Sequence, residues 1–344
     1  MIRFGGFFRS VALLMMLTAV SCNVHQWPDA PEREKFALKL VFDTDFTQRG
    51  YTYDGGSTLT ASGTTTETES VRSRGYMHHI VRAYPKIDGV SQLRYYDEFE
   101  FTRSVALGYD CDLTVELTPG EYTVRVWSEL LEREDGRSYY DSDDFGEIRL
   151  WGAHAANTDY RDAFRGTVEI EVESYVSAHV ADKSWITMER PLAKYEFVAT
   201  DLSELLQTSG GSAEDYEAVV TYPSTSYMPC AYSMYIDKPV DSSTGVVYRS
   251  ALSRLSASET SLGFDYVFVN GGDASVTVRI DVCRKSTSEA VWSSPAIQVP
   301  LRRSEHTVIR GAWFTKSDGS VDGSGGVHLD PGYEGENNTF IPLN

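Results

Sequence analysis

Apolar and polar residues alternate with a period of two along most of this chain. Phe36, Leu38, Leu40 and Phe42 alternate with Ala37, Lys39, Val41 and Asp43. The pattern returns at Leu113, Val115 and Leu117, at Tyr122, Val124 and Val126, at Val168, Ile170 and Val172, and at Val276, Val278, Ile280 and Val282. Successive side chains of a strand point to opposite faces, so each run puts one face on a core and the other in water. That is the habit of antiparallel sandwich sheets. Further strands are expected at 78–84, 95–101, 185–188, 195–199, 218–222, 230–236, 264–269, 297–301 and 307–313.

The helical period is nearly missing. Leu202, Leu205 and Leu206, started by Asp201 or Ser203 with Glu204 in the first turn and stopped by Gly210-Gly211, predict one short helix. Residues 161–165 predict one more turn. Many short strands with turn signals between them predict an all-β chain of two tandem antiparallel β-sandwich domains, 36–190 and 191–316. The boundary is expected near Glu189-Arg190-Pro191, where a strand ends and a proline resets the chain. Residues 48–75, rich in Gly, Ser and Thr, are expected as a long exposed loop, and 132–142 as a charged one. Residues 317–344 read as a Gly/Ser-rich tail.

The first 21 residues follow another rule. Arg3 and Arg9 precede a short apolar core, Val11 to Val20, and Ala19-Val20-Ser21-Cys22 puts small residues ahead of a cysteine. The core is far shorter than the ~20 residues needed to span a bilayer, so a signal peptide is expected. The motif resembles the lipobox of bacterial lipoproteins, with Ala19 where Leu is commoner. Cleavage then exposes Cys22 as the lipid-attachment residue, and residues 22–35 form a flexible tether. The rival reading is ordinary secretion with cleavage near Ser21.

The formal net charge of −19 excludes the cationic footprint of a nucleic-acid binder. It also opposes a basic membrane-binding face, so any membrane link falls to acyl chains on Cys22. Three other cysteines remain. Cys111 shares parity with Leu113 and is expected to face a core; Cys283 shares parity with Arg279 and Asp281 and is expected to face outward. A Cys230–Cys283 bridge and free thiols are both open.

Motifs of catalysis are missing: there is no nucleophile elbow, phosphate loop, dinucleotide fingerprint or paired-histidine metal motif. Neither enzyme activity nor a cofactor is expected. His78 and His79 are adjacent, so on a strand they face opposite ways. Asp141, Asp143, Asp144 and Glu147 read as a solvated acidic loop or as a calcium site. Trp127, Trp151, Trp185, Trp292 and Trp313, with Tyr95-Tyr96, read as core filling or as a glycan platform, with Trp127 and Trp185 the candidates for outer faces.

Several segments carry a family resemblance. After Cys22-Asn23-Val24-His25-Gln26-Trp27-Pro28 come Phe36-Ala37-Leu38-Lys39-Leu40-Val41-Phe42-Asp43, Glu121-Tyr122-Thr123-Val124-Arg125-Val126-Trp127 and Tyr160-Arg161-Asp162-Ala163-Phe164-Arg165-Gly166. Met188-Glu189-Arg190-Pro191-Leu192, Tyr227-Met228-Pro229-Cys230 and Leu262-Gly263-Phe264-Asp265-Tyr266 follow. Together they resemble the FimB-type fimbrial-subunit lipoproteins of the Bacteroidales, in a branch labelled as a domain of unknown function. The resemblance implies transthyretin-like sandwiches, outer-membrane attachment through lipid, surface exposure, and a minor or anchoring place in fimbriae built by strand donation. Stalk members of that family are cut after an arginine, which makes Arg72 and Arg74 the residues to watch; the uncut anchor is favoured. A donor strand is to be sought at 307–313 and in the tail. The expected partners are other fimbrial subunits, with a host protein or glycan ligand also open. The alternative reading is a glycan-binding surface lipoprotein of a nutrient-uptake system.

Overall fold

The computed structural model describes residues 32–67, 75–95, 97–174 and 183–315. The strands in chain order begin with β1 (Glu34–Phe42), β2 (Phe46–Tyr53), β3 (Leu59–Glu67), β4 (Tyr76–Ile87), β5 (Val90–Ser91) and β6 (Asp97–Ser104). Next come β7 (Cys111–Leu117), β8 (Gly120–Leu131), β9 (Tyr140–Asp141), β10 (Ile148–Leu150), β11 (Ala163–Val172) and β12 (Lys183–Met188). After these lie β13 (Leu192–Ala199), β14 (Tyr216–Thr221), β15 (Met228–Ser233), β16 (Lys238–Ser243), β17 (Val247–Ala251) and β18 (Ser253–Arg254). The last five are β19 (Thr260–Phe268), β20 (Ala274–Arg284), β21 (Ala290–Ser293), β22 (Ile297–Leu301) and β23 (Glu305–Gly311). The predicted helix is α1 (Leu202–Ser209); the turn expected at 161–165 is corrected, since a short 3-10 segment ends at Arg161 and Ala163 to Arg165 open β11, paired with β8. The chain is all-β, as its alternation implied.

Strands β12-β1-β7 form one sheet and β11-β8-β4 with β6 another. Phe36, Leu38 and Leu40 of β1, Leu113 and Val115 of β7, Val81 of β4, and Val124 and Val126 of β8 share a core between them. Each such side chain withdrawn from water contributes about 1.5–3 kcal/mol. A second core joins the six-stranded sheet β18-β19-β13-β23-β2-β3 to the sheet β17-β14-β20 with its neighbours β21 and β22. A third apolar cluster ties the two halves, with Phe46, Trp127 and Phe145 against Leu192, Tyr232 and Phe268. A small sheet does the same, pairing β10 with β15 at Ile148 and Tyr232.

The expected exposed loop at 48–75 is corrected by the structure. Its first part is the hairpin β2–β3, and β2 runs parallel to β23 from Thr47 opposite Glu305 to Tyr53 opposite Gly311. The physical reason is burial of two large side chains: Tyr53 and Leu59 lie 3% and 4% exposed in the second core. Thus strands that precede Glu189-Arg190-Pro191 complete a sheet made by strands that follow it. The strand expected at 307–313 is β23, and it sits between β13 and β2 with both sides paired. It has no free edge with which to act as a donor. The tail from 316 lies outside the described residues, as do residues 68–74 of the expected loop.

Candidate functional site

Three features offer an interaction chemistry: the N-terminal end of the chain, one open sheet edge and one groove. Cys22, Arg72 and Arg74 lie outside the described residues. The described chain begins just ahead of β1, and β1 is no edge strand. It is held by β12, running parallel, and by β7, running antiparallel, and its inward side chains are buried. Arg33 secures its start, with Nη2 donating to Asp97 Oδ1 at 2.8 Å and Nη1 to the Glu116 carbonyl at 3.1 Å. A pull on the N-terminus therefore loads two ladders of hydrogen bonds together rather than peeling a loose end.

β3 closes one side of the six-stranded sheet, and among the described residues it pairs only with β2. Its sequence, Leu-Thr-Ala-Ser-Gly-Thr-Thr-Thr-Glu, holds no Pro and no Lys or Arg. Those are residues with which sheet edges discourage further pairing. Thr60 to Thr65 are exposed. The register shift opposite Gly50 and Tyr51 is the one blunting device present. Alternate residues of this nine-residue strand thus offer outward N–H and C=O groups to an incoming strand.

An open groove of about 390 Å³ lies beside β4, lined by His78, Glu100, Glu129, Asp135, Arg137 and Trp151 among others. Glu129 is buried; its Oε2 accepts from Trp127 Nε1 at 2.8 Å, and its Oε1 lies 3.2 Å from His78 Nδ1. Glu100 lies 3.5 Å from His78 Nε2. Burial disfavours the charged imidazole, but the Glu129 and Glu100 carboxylates outweigh it and raise the His78 pKa. Trp151 is 40% exposed, with the Arg137 guanidinium 4.4 Å from its ring centre. Carboxylates beside a part-exposed indole suit hydroxyl or ammonium donors.

A buried polar cluster lies near the join of the two halves. Asp265 accepts from His154 at 2.7 Å and from the Tyr222 hydroxyl at 2.6 Å, and it pairs with the Arg161 guanidinium. Burial opposes its charge, yet Arg161 and His154 hold the carboxyl below its ordinary range. Arg161 also donates to the carbonyls of Ala155 and Tyr266, at 2.8 and 2.6 Å. This network fixes β19 to the segment before β11. It was not legible as a unit in the sequence, because its members lie far apart in the chain.

The structure places the other expected site residues as follows: Cys111, Trp185 and the acidic loop stand where they were expected, and Trp127 does not. Cys283 keeps the parity of Asp281, opposite Glu217 and outside the second core, yet is buried, and Cys230 and Cys283 are free thiols on strands of different sheets. Cys111 is half-buried against the first core, where burial pushes its thiol pKa up to about 11. Trp127 is fully buried, because β8 is covered on both faces. Trp185 is 62% exposed, with Lys39 Nζ 4.3 Å from its ring centre. In the acidic loop, Asp141 and Asp144 accept from the backbone N–H groups of Asp143 and Gly146, and Glu147 pairs with Arg149. Among the described residues no group of three metal-ligating side chains converges, so the calcium reading has no site there.

A family model described as a family of unknown function, DUF6562, matches residues 39–342. Among solved structures, a fimbrial assembly protein from Parabacteroides distasonis is similar at 12% identity and a TM-score of 0.40, covering 82% of this chain and 92% of that one. The fimbrial anchor protein Mfa2 from Porphyromonas gingivalis is similar at 14% identity and a TM-score of 0.37, covering 72% of this chain and 82% of that one. No curated protein matches the chain.

Proposed function

This chain belongs to the DUF6562 family, and from that premise we propose that it is a lipid-anchored minor or anchoring subunit of surface fimbriae. Acyl chains on Cys22 hold it to the outer membrane, and the free edge of β3 accepts a strand from a partner subunit. Its work is holding, by main-chain hydrogen bonds, and not turnover of a substrate. The observation that carries the reading is the nine-residue edge of β3, uncharged but for its last residue and lacking proline. The N-terminal motif and the clamped β1 support the anchoring half, since tension on a tether would be borne by paired strands on both sides.

Neighbouring residues of an edge strand point their N–H groups alternately to the sheet and to solvent. Thr64→Pro and Thr65→Pro therefore make a matched pair. One of them removes a bond to β2 and destabilises the hairpin. The other leaves stability unchanged and abolishes capture of the partner subunit in a pull-down with fimbrial subunits from the same cell. Capture undiminished by both variants refutes acceptance at β3. Cys22→Ala, followed by fractionation, tests the anchor: protein that stays with the outer membrane refutes the lipid.

Trp185 favours a second reading, glycan binding, because its indole is exposed on a sheet face. A glycan array comparing the native chain with Trp185→Ala tests it. Binding that needs Trp185 would move the reading to a nutrient-uptake lipoprotein.

A further inference from the structure

Strand β4 ends in Pro85, Lys86 and Ile87, turns at Asp88-Gly89, and returns as β5. Both turn residues have positive φ, 52° and 76°, which tightens the hairpin into a narrow tip. The side chains at this tip are apolar and face water: Ile87 is 59% exposed, Val90 66% and Leu93 83%. Tyr95 follows at 44%. Four of the ten large apolar side chains exposed among the described residues fall within these nine positions, which separates the tip from ordinary scattered surface residues.

The attachment end of the chain lies at the same end of the sandwich. Glu34, first in β1, pairs with Leu117, last in β7. The chain then turns directly into β8, whose Tyr122 pairs with Pro85 of β4. Arg33 bonds to Asp97, the residue that receives the chain after the tip and opens β6 opposite Ala83. From Cys22 to Glu34 are twelve residues, whose extended reach is at most about 40 Å. Whatever surface receives Cys22 is thus within reach of the tip.

We infer that Ile87, Val90 and Leu93 seat in the interface of the bilayer that the acyl chains of Cys22 enter, giving the anchor a second contact with lipid made by the protein itself. This rests on the lipid attachment proposed above. The occupant is a membrane by position and by chemistry: the tip is apolar, narrow and placed where the tether begins. Charge points to zwitterionic lipid, because the chain carries −19 overall and Lys86 of the tip is paired with Glu169. The contact would orient the molecule, where a tether alone leaves it free to tumble.

The test is hydrogen exchange on the full mature chain, with and without phosphatidylcholine vesicles, together with the Val90→Asp/Leu93→Asp variant and mass spectrometry of Cys22. Amides of residues 86–94 are expected to exchange roughly tenfold more slowly on vesicles, and the double variant is expected to lose that protection with its fold intact. Unchanged exchange at the tip in a chain proven to carry acyl groups overturns the inference and leaves the lipid attachment standing. Tip-dependent vesicle binding by a chain with an unmodified Cys22 supports the tip and refutes the lipid. Protection that arises without vesicles and grows with protein concentration overturns the inference, assigning the tip to a second copy of the chain.

Discussion

Tyr53 and Trp313 lie face to face, ring centroids 3.9 Å apart and planes 12° from parallel. Tyr53 ends β2, and Trp313 follows β23, so the stack pins an early hairpin to the last described strand. Both side chains are buried in the second core. Tyr53→Ala is expected to cost about 3 kcal/mol in urea unfolding, whereas Thr64→Ala on exposed β3 should stay within about 0.5 kcal/mol.

Gly311 lies opposite Tyr53 across the parallel ladder. A Cβ at this position would run into the backbone and Cβ of Tyr53, neither of which is free to swing away. Gly311→Ala is expected to cost about 2 kcal/mol and to speed amide exchange along β2 and β3 more than in β1. Equal exchange in all three strands would contradict the pairing.

Asp162 and Arg190 form an ion pair with no exposed side-chain surface, Nε lying 2.9 Å from each carboxylate oxygen. The guanidinium also packs on the rings of Phe46 and Phe164. Asp162→Ala takes this carboxylate away from the buried cation and is expected to cost about 3–5 kcal/mol. Adding Arg190→Met should recover a measurable part of the loss, and a double-mutant cycle reads the coupling.

His79 supplies a pH dependence. Its Nδ1 lies 2.8 Å from Ser128 Oγ, and Cys111 Sγ lies 3.6 Å from Nε2. Burial, with smaller contributions from His78 and Arg103, pushes its pKa down to about 3. An unfolded chain binds this proton near pH 6.5 and the native chain only near 3, so stability falls as pH drops through that window. The slope is about 1.4 kcal/mol per pH unit. His79→Asn is expected to flatten the unfolding curve between those limits. His78 has a raised pKa, so its contribution is full below pH 6.5 and fades as pH climbs through its folded value.

Strands with one wet face were legible because their period is unambiguous: β1, β7, β11 and β20 stand where the alternation put them. So was the helix α1, whose first-turn acid and closing glycines bracket three leucines. β2 and β3 were not. Their residues are polar and Gly-rich, and what makes them strands is pairing with β23 near the far end of the chain. Trp127 was misplaced for a related reason. Parity assumes one covered face, and β8 is covered on both; Cys283 keeps the parity of Asp281 and is buried all the same. Of the features behind the proposed function, the lipobox-like motif at Cys22 is one of sequence alone. The apolar tip could not be read there, because exposure of Ile87, Val90 and Leu93 depends on which end of the sandwich they occupy.

The parallel pairing of β2 with β23 has a consequence for biogenesis. A ribosome finishes residues 46–53 long before residues 305–311. The central ladder of the six-stranded sheet therefore closes only when the last strand arrives, and contacts of such long sequence separation are slow to form. Until then the chain waits with an unfinished sheet, and a truncated product would advertise itself for proteolysis.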